Sequence, residues 1–418
     1  MGQEKSFFFL AYILLILIIS FLQIKKVKEK EGYYLASRNL NFILLFFTII
    51  STSIGSSSTI LLFFLISKYG FFGTFAELGG GIGLIFLGLL FAKKIRKTGA
   101  FTLPEILGLK FGERVRFFSS FLVVIAEILW LSLIFKALQI IVSFNPFILY
   151  PLFFSFILSI SIGGQWALAL TDLFYGSIIF SGFFFSYFFS NFEMNNAISF
   201  EKIDIPFLLF LFISTLLPHI AGPDIWGKVL SSKDERDAKI GAILSGIGKI
   251  FWALLMFLII SKFKVLPAGD NTILNFIFSF SKVLSFILIL SLISALLSSA
   301  NSLLLTASTT FSNDLLKNFK RRKILTLILG FLSFTFAYLS PDILFLFKKS
   351  YSFFSISLSI PAILSLFNFK VKENYLIGLM IFSGAAALFL PFLYSLLISI
   401  FFYAILYCLN YKNKEELR

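Results

Sequence analysis

Ser51-Thr52-Ser53-Ile54-Gly55-Ser56-Ser57-Ser58-Thr59 lies inside an apolar stretch running from residue 40 to 66. Lipid offers no hydrogen bonds, so clustered hydroxyls at membrane depth must face protein, water or a bound ligand. Gly and hydroxyl residues weaken a helix, and Ser/Thr side chains compete for its backbone groups. The run therefore predicts a local break that frees backbone carbonyls, as in the broken helices that build ion and solute sites inside membranes. Small residues also serve close helix packing, and this run alone does not decide between the two uses. A second run tips the balance: Ser294-Ala295-Leu296-Leu297-Ser298-Ser299-Ala300-Asn301-Ser302, within a stretch from 283 to 312. Ala295, Ser298, Ser299 and Ser302 are spaced i, i+3, i+4 and i+7, one face of a helix. Two hydroxyls on that face, opposite free carbonyls, give about five neutral oxygens; divalent ions usually want carboxylates, so this set suits a weakly held monovalent cation.

Outward from these runs, thirteen apolar stretches can be read: 7–24, 40–66, 75–92, 117–142, 147–163, 166–190, 206–223, 240–260, 283–312, 324–340, 350–369, 375–391 and 393–410. Each approaches the roughly 20 residues a bilayer-crossing helix needs. The expected fold class is an all-α integral membrane protein with about 13 transmembrane helices. The chain of 418 residues is 58% hydrophobic, and its mean hydropathy is +0.96. A soluble domain sits near 45–50% apolar, so no large soluble domain is expected. The 60 Phe residues, with abundant Ile and Lys, read as codon bias and carry no function. Residues 7–23 are followed by Lys25-Lys26-Val27-Lys28 and by no small-residue cleavage site, which predicts a retained helix rather than a signal peptide.

Loop charge orients the chain. With the N-terminus outside, the inner loops and the tail hold 26 of the 36 Lys and Arg, the outer segments 8, and Lys136 and Lys249 lie inside spans. The N-terminus is therefore expected outside and the C-terminus in the cytoplasm of a multi-pass cell-membrane protein. The net charge of +15 is mostly this topology signal. It gives no support to nucleic-acid binding and suggests modest contact with anionic lipid heads.

One cysteine, Cys408, allows no disulfide within the chain. One histidine, His219, is too few for haem or an intramembrane metalloenzyme, and no nucleophile–His–acid group can be assembled around it, so no enzyme is expected. No Gly-x-x-x-x-Gly-Lys-Ser/Thr loop is present, which disfavours ATP-driven work by this polypeptide. A charge inside a membrane is expensive and is a functional candidate by default. Glu77, Glu127, Lys136 and Lys249 fall in or at the edge of spans. Glu77 can sit at the outer interface, and Lys136 can snorkel. Lys136 lies nine residues after Glu127, on the opposite helix face, so the two are not expected to pair. Lys249, tenth in a 21-residue span, must face a polar cavity or pair with an acid. Pro218, Gly222 and Pro223 predict a break in the span that carries Thr215 and His219.

Several stretches, in order, resemble the sodium:solute symporter family. Tyr34-Leu35-Ala36-Ser37-Arg38-Asn39-Leu40 resembles the start of its first core helix, and Phe101-Thr102-Leu103-Pro104-Glu105 with Phe111-Gly112 the loop after core helix 2. Thr171-Asp172 resembles the start of core helix 5, and Trp226-Gly227-Lys228-Val229-Leu230-Ser231-Ser232-Lys233 the loop after core helix 6. Ser298 to Leu304 with Asn313-Asp314 resembles core helix 8 and its end. The resemblance implies a LeuT-type core of ten helices in two inverted five-helix repeats over 33–369. A leading helix and first loop would occupy 1–32, and two trailing helices with a tail 370–418. It implies sodium as the coupling ion, held by the carbonyls of Ser51, Ile54 and Ala295 and the hydroxyls of Ser298 and Ser299. Asp172 matches an acid near the cytoplasmic ion exit. Tyr175 stands where the family often has Gln, and Gly227-Lys228 where it has Gln-Arg.

By the same resemblance Glu77 and Lys249 fall at positions that bind sugar in one branch, while that branch's other polar contacts are replaced by apolar residues near Leu131 and Phe353. Ser53, Glu77, Thr215, His219 and Lys249 are the solute-binding candidates. The implied activity is sodium-coupled secondary active symport of a small organic solute (sugar, amino acid or carboxylate) by alternating access. The alternatives are a proton-coupled or uncoupled permease of the same fold, which needs a titratable group at the cation site, and a membrane sensor derived from a transporter. Such sensors usually carry an added signalling domain, whereas this sequence ends eight residues after Asn410.

Overall fold

A computed structural model describes residues 3–142, 146–189, 201–262, 272–367, 369 and 371–415. The thirteen apolar stretches all fall on helical segments of it. They are α1 (Gln3–Leu22), α3 and α4 (Phe42–Ser53 and Leu62–Tyr69), α5 (Phe75–Phe86), α8 (Glu113–Ile141) and α9 (Pro146–Phe189). The remainder are α10 (Ile205–Ala221), α12 (Glu235–Ser261), α14 (Lys282–Thr310), α15 (Arg322–Leu339), α16 (Ile343–Ser357) with α17 (Ser359–Ser365), α18 (Glu373–Phe389) and α19 (Phe392–Glu415). The short α2 (Lys30–Leu35), α6 (Ala92–Lys97), α7 (Leu103–Phe111), α11 (Pro223–Leu230) and α13 (Thr272–Phe278) complete the order. Eight helical segments among the described residues are long and apolar enough to cross a membrane. Ala11–Leu22, Phe42–Ser53, Glu373–Phe389 and Phe392–Leu406 are shorter apolar helices beside them.

The pattern of exposure is inverted relative to a soluble protein. Phe188, Phe189, Phe389, Leu397 and Phe401 are exposed, while more than fifty Ser, Thr, Asn, Gln and charged side chains are buried. An apolar exterior over a hydroxyl-rich interior is what a lipid solvent selects.

Two stretches read as separate spans, 147–163 and 166–190, are the arms of α9. They meet at Gly164, whose φ of +50° takes it out of helical geometry. A Cβ there would come 2.5 Å from the Tyr33 carbonyl oxygen, so glycine is required on both counts. Asn41 starts α3, its side chain accepting from the Leu44 amide at 2.9 Å. The helix stops at Ile54 (φ −94°, ψ 67°) and resumes as a π-helical turn, Ser57–Leu61. α10 ends before Gly222, which is extended (ψ 132°) because Pro223 follows it and opens α11. The break in this span is therefore at Gly222-Pro223; Pro218, expected to share in it, sits within α10.

The interior is organised around α14, which packs against α9, α8 and α3, while α5 packs against α10 and α12. The loop 93–116, expected only as a loop, contains α7, whose start is capped by the Thr102 side chain accepting from the Glu105 amide.

Candidate cation and solute site

The broken end of α3 faces the hydroxyl face of α14. The Ser299 hydroxyl donates to the Thr52 carbonyl at 2.6 Å, with the Ala295 carbonyl at 3.2 Å as its alternative. Close approach at this point depends on Gly55. A Cβ there would lie 2.5 Å from Ser299 Oγ and 3.2 Å from Ile134 Cδ1 on α8. Ser51, Ile54, Ala295 and Ser298 are fully buried and Ser299 nearly so.

Asp172, on the second arm of α9, joins this group. Its carboxylate accepts from Ser298 Oγ at 2.5 Å and from Thr48 Oγ1, and its backbone carbonyl accepts from Ser51 Oγ at 2.9 Å. Three helices are thereby tied at one point. The set of uncharged oxygens read from sequence thus has a carboxylate in contact with it. The sequence singled out Asp172 by motif and gave no sign that it touches Ser298. Thr48 and the Thr52 carbonyl were missed altogether, although Thr48 precedes Ser51 and Thr52 by three and four residues and shares their face.

Next to the break a cavity of about 60 Å³ is lined by Thr52, Ser56, Trp130, His219, Asp224 and Tyr351, among others. At roughly 10–15 Å³ per water it has space for about four to six waters. Ser53, His219 and Ser299, of the sequence candidates, line it. His219 Nδ1 lies 2.7 Å from the Thr215 carbonyl, which can only accept, so Nδ1 is the donor of this bond. Thr215 itself donates to the Ala76 carbonyl at 2.6 Å and anchors α10 to α5. Trp130 Nε1, Thr52 Oγ1 and Ser56 Oγ are buried without a hydrogen-bond partner. The cavity is thus bordered by Trp130 and Tyr351, next to the Leu131 and Phe353 positions the sequence pointed to.

Glu77 and Lys249 do not line the cavity; they pair with each other behind it. The Lys249 ammonium is 2.7 Å from Glu77 Oε2, 2.7 Å from the Ser53 carbonyl and 3.0 Å from Ser58 Oγ, and Ser58 also donates to Glu77 Oε1. Both side chains are buried within the protein. The pair satisfies a carbonyl that the α3 break sets free. Trp252 Nε1, one turn beyond Lys249 on α12, takes the Ser58 carbonyl at 2.8 Å. Lys136 reaches the Ser340 carbonyl at 2.8 Å and caps the end of α15, a cation at a helix C-terminus. Glu127 is fully buried and neither carboxyl oxygen is bonded.

Several of the quoted motifs converge in one region. Arg116 grips Asp314 through Nη2 at 2.7 Å and Nε at 2.9 Å, and Thr102 donates to the other Asp314 oxygen at 2.7 Å. Arg38 donates to the Gly99, Ala100 and Leu230 carbonyls. The Leu40 amide donates to the Ser231 carbonyl, and the Lys233 amide donates to the Leu40 carbonyl at 2.8 Å.

This architecture is that of known membrane transporters. The fold is similar to a Na+-coupled sialic acid symporter in a substrate-bound outward-open state, with TM-score 0.82 and 17% identity over 97% of this chain and 96% of that one. It is also similar to a nucleobase-cation-symport-1 family transporter in a closed conformation with bromovinylhydantoin bound, with TM-score 0.62 and 12% identity over 90% and 95%. No curated protein sequence matches the chain. These likenesses show the fold: all-helical and similar to that of LeuT-fold transporters. Residues 33–204 match the sodium:solute symporter family, which bears out the resemblance carried by the motifs.

Proposed function

We propose that the protein is a sodium-coupled secondary symporter that imports a small organic solute across the cell membrane by alternating access. The ion is held where the Thr52 carbonyl at the α3 break meets Ser298 and Ser299, with the Ser51, Ile54 and Ala295 carbonyls in reach and Asp172 anchoring the hydroxyl face. The contact of Ser299 with the Thr52 carbonyl carries this reading, because it joins the two polar runs inside the bilayer region. In this reading thirteen helices cross the membrane and residues 33–369 form two inverted five-helix repeats. The N-terminus lies outside, as the 26-to-8 charge split indicates. Inward movement of one sodium charge gains about 2.3 kcal/mol per 100 mV of potential.

The carboxylate touching Ser298 favours a second reading, a proton-coupled permease on the same fold. Reconstituted vesicles distinguish the two. Uptake from a mixed panel of labelled sugars, amino acids and carboxylates is expected to need an inward sodium gradient. Uptake driven equally by a pH gradient in sodium-free buffer would exclude sodium coupling.

A further inference from the structure

A second cavity, of about 630 Å³, lies between the starts of α10, α16 and α19 and the end of α18. It shares no lining residue with the cavity at the α3 break. Its size falls in the roughly 300–1,000 Å³ range of small-ligand pockets, which are mostly apolar with a few placed polar groups. Phe207 and Phe210 enter it from α10, Leu393 and Leu397 from α19. Phe389, Tyr394 and Leu397 line it and are also exposed, so the cavity opens on the apolar exterior that lipid covers. The ends of apolar helices lie where a bilayer passes from hydrocarbon to headgroups.

The charged groups in this cavity have one sign. Lys348 and Lys349, adjacent in the second turn of α16, both line it, and no acid does. Lys349 donates to the Leu388 carbonyl near the end of α18, which leaves two of its three ammonium protons. Lys348 lies 5.5 Å from the centre of the Phe207 ring and has no hydrogen bond or ion pair among the described residues. Asp342, the nearest acid in sequence, is engaged in capping α16, where it accepts from the Phe345 amide. A lysine that only snorkels to water needs no hollow beside it. Two lysines without an acid, next to an apolar hollow open to the lipid face, match an amphiphile with an anionic head. Basic pockets between membrane helices hold acidic lipid headgroups in this way. A zwitterionic head would bring its own cation toward the lysines.

We propose that this cavity is a binding site for an anionic phospholipid. The phosphate sits between Lys348 and Lys349, and an acyl chain lies along Phe207, Phe210, Leu393 and Leu397. The site does not depend on the symporter reading.

The test is thermal stability of the purified, delipidated full-length protein in neutral detergent, titrated with phosphatidylglycerol or with phosphatidylcholine of the same chains. Phosphatidylglycerol is expected to stabilise with a midpoint at least tenfold lower. Lys348→Gln, which removes no hydrogen bond or ion pair of the fold, should weaken phosphatidylglycerol at least threefold and leave phosphatidylcholine unchanged. Lys348→Gln/Lys349→Gln should bring the two lipids within twofold, and Lys348→Arg should keep the preference. Lys320→Gln, at an exposed position before α15, should keep it too. Leu393→Trp, which fills the hollow, should weaken both lipids. Equal midpoints for the two lipids in the wild type would mean an apolar groove without headgroup selection and would overturn the assignment. So would stabilisation by inorganic phosphate as large as by the lipid, an unchanged preference in Lys348→Gln, or an equal loss in Lys320→Gln. A dimer in light scattering that Leu393→Trp abolishes and phosphatidylglycerol does not displace would give the cavity to a second copy of the chain instead.

Discussion

Lys249 and Glu77 show how far single residues could be read. A lysine in the middle of a 21-residue apolar span cannot reach water, so a cavity or an acid had to meet it. The acid could not be chosen from sequence, because nothing in the pattern of α5 and α12 fixes their relative rotation. The structure pairs them at 2.7 Å with both side chains buried. Removing one partner of such a pair strands the other charge, at a cost of about 3–5 kcal/mol, whereas replacing both with apolar groups is often close to neutral. Lys249→Met alone is therefore expected to lower the melting temperature in detergent sharply, and Glu77→Leu/Lys249→Met to recover most of the loss. A double variant no more stable than the single would show that the pair is not the stabilising unit. Asp172 was legible as a motif position but not as a partner of Ser298. That contact depends on the α9 arm beyond Gly164 running alongside α14, a tertiary fact with no local signature.

Elements were more legible than contacts. Hydropathy located every long helix, and the Gly-Ser-Thr composition located the α3 break, because both signals are local. Short pieces such as α7 and α13 escaped because they are shorter than a bilayer crossing. The Pro218 expectation failed for a similar reason: a proline can remain within a helix when its surroundings absorb the lost bond, and the residue before Pro223 was the stronger signal. The α3 break meets α14 only because position 55 lacks a side chain. Gly55→Ala places a methyl group against Ser299 Oγ and should push the two elements apart. Sodium affinity, read from the sodium concentration that half-stabilises the protein, is expected to fall at least tenfold, about 1.4 kcal/mol. An unchanged midpoint would mean that the ion does not sit at this junction.

Across the whole molecule, the contacts among the converging motifs act together. Three consecutive residues, Ala36, Ser37 and Arg38, hold positive φ near 50°, a conformation that costs roughly 1–2 kcal/mol per non-glycine residue. Arg38 is held there by three carbonyls from two other segments. Arg116, Asp314 and Thr102 tie α8, the π-helical turn Phe311–Leu315 that follows α14, and the start of α7 in the same region. Breaking this tie should favour opening toward the inside. With Cys408 replaced and a reporter cysteine at Thr309, which lines a small cavity among these motifs, Asp314→Ala is expected to speed labelling by a maleimide applied from the cytoplasmic side. An unaltered rate would show that these bonds do not control access. The motifs were visible in sequence as separate strings; that they converge on one face follows only from the fold.

The central claim is that a monovalent cation is cradled where broken α3 meets the hydroxyl face of α14. Equilibrium binding of radiolabelled sodium to the purified protein tests it without knowledge of the solute. Saturable binding is predicted for the wild type, lost in Ser298→Ala/Ser299→Ala and retained in Lys136→Ala, whose ammonium is engaged by the Ser340 carbonyl instead. Undiminished sodium binding by the double serine variant would contradict the account.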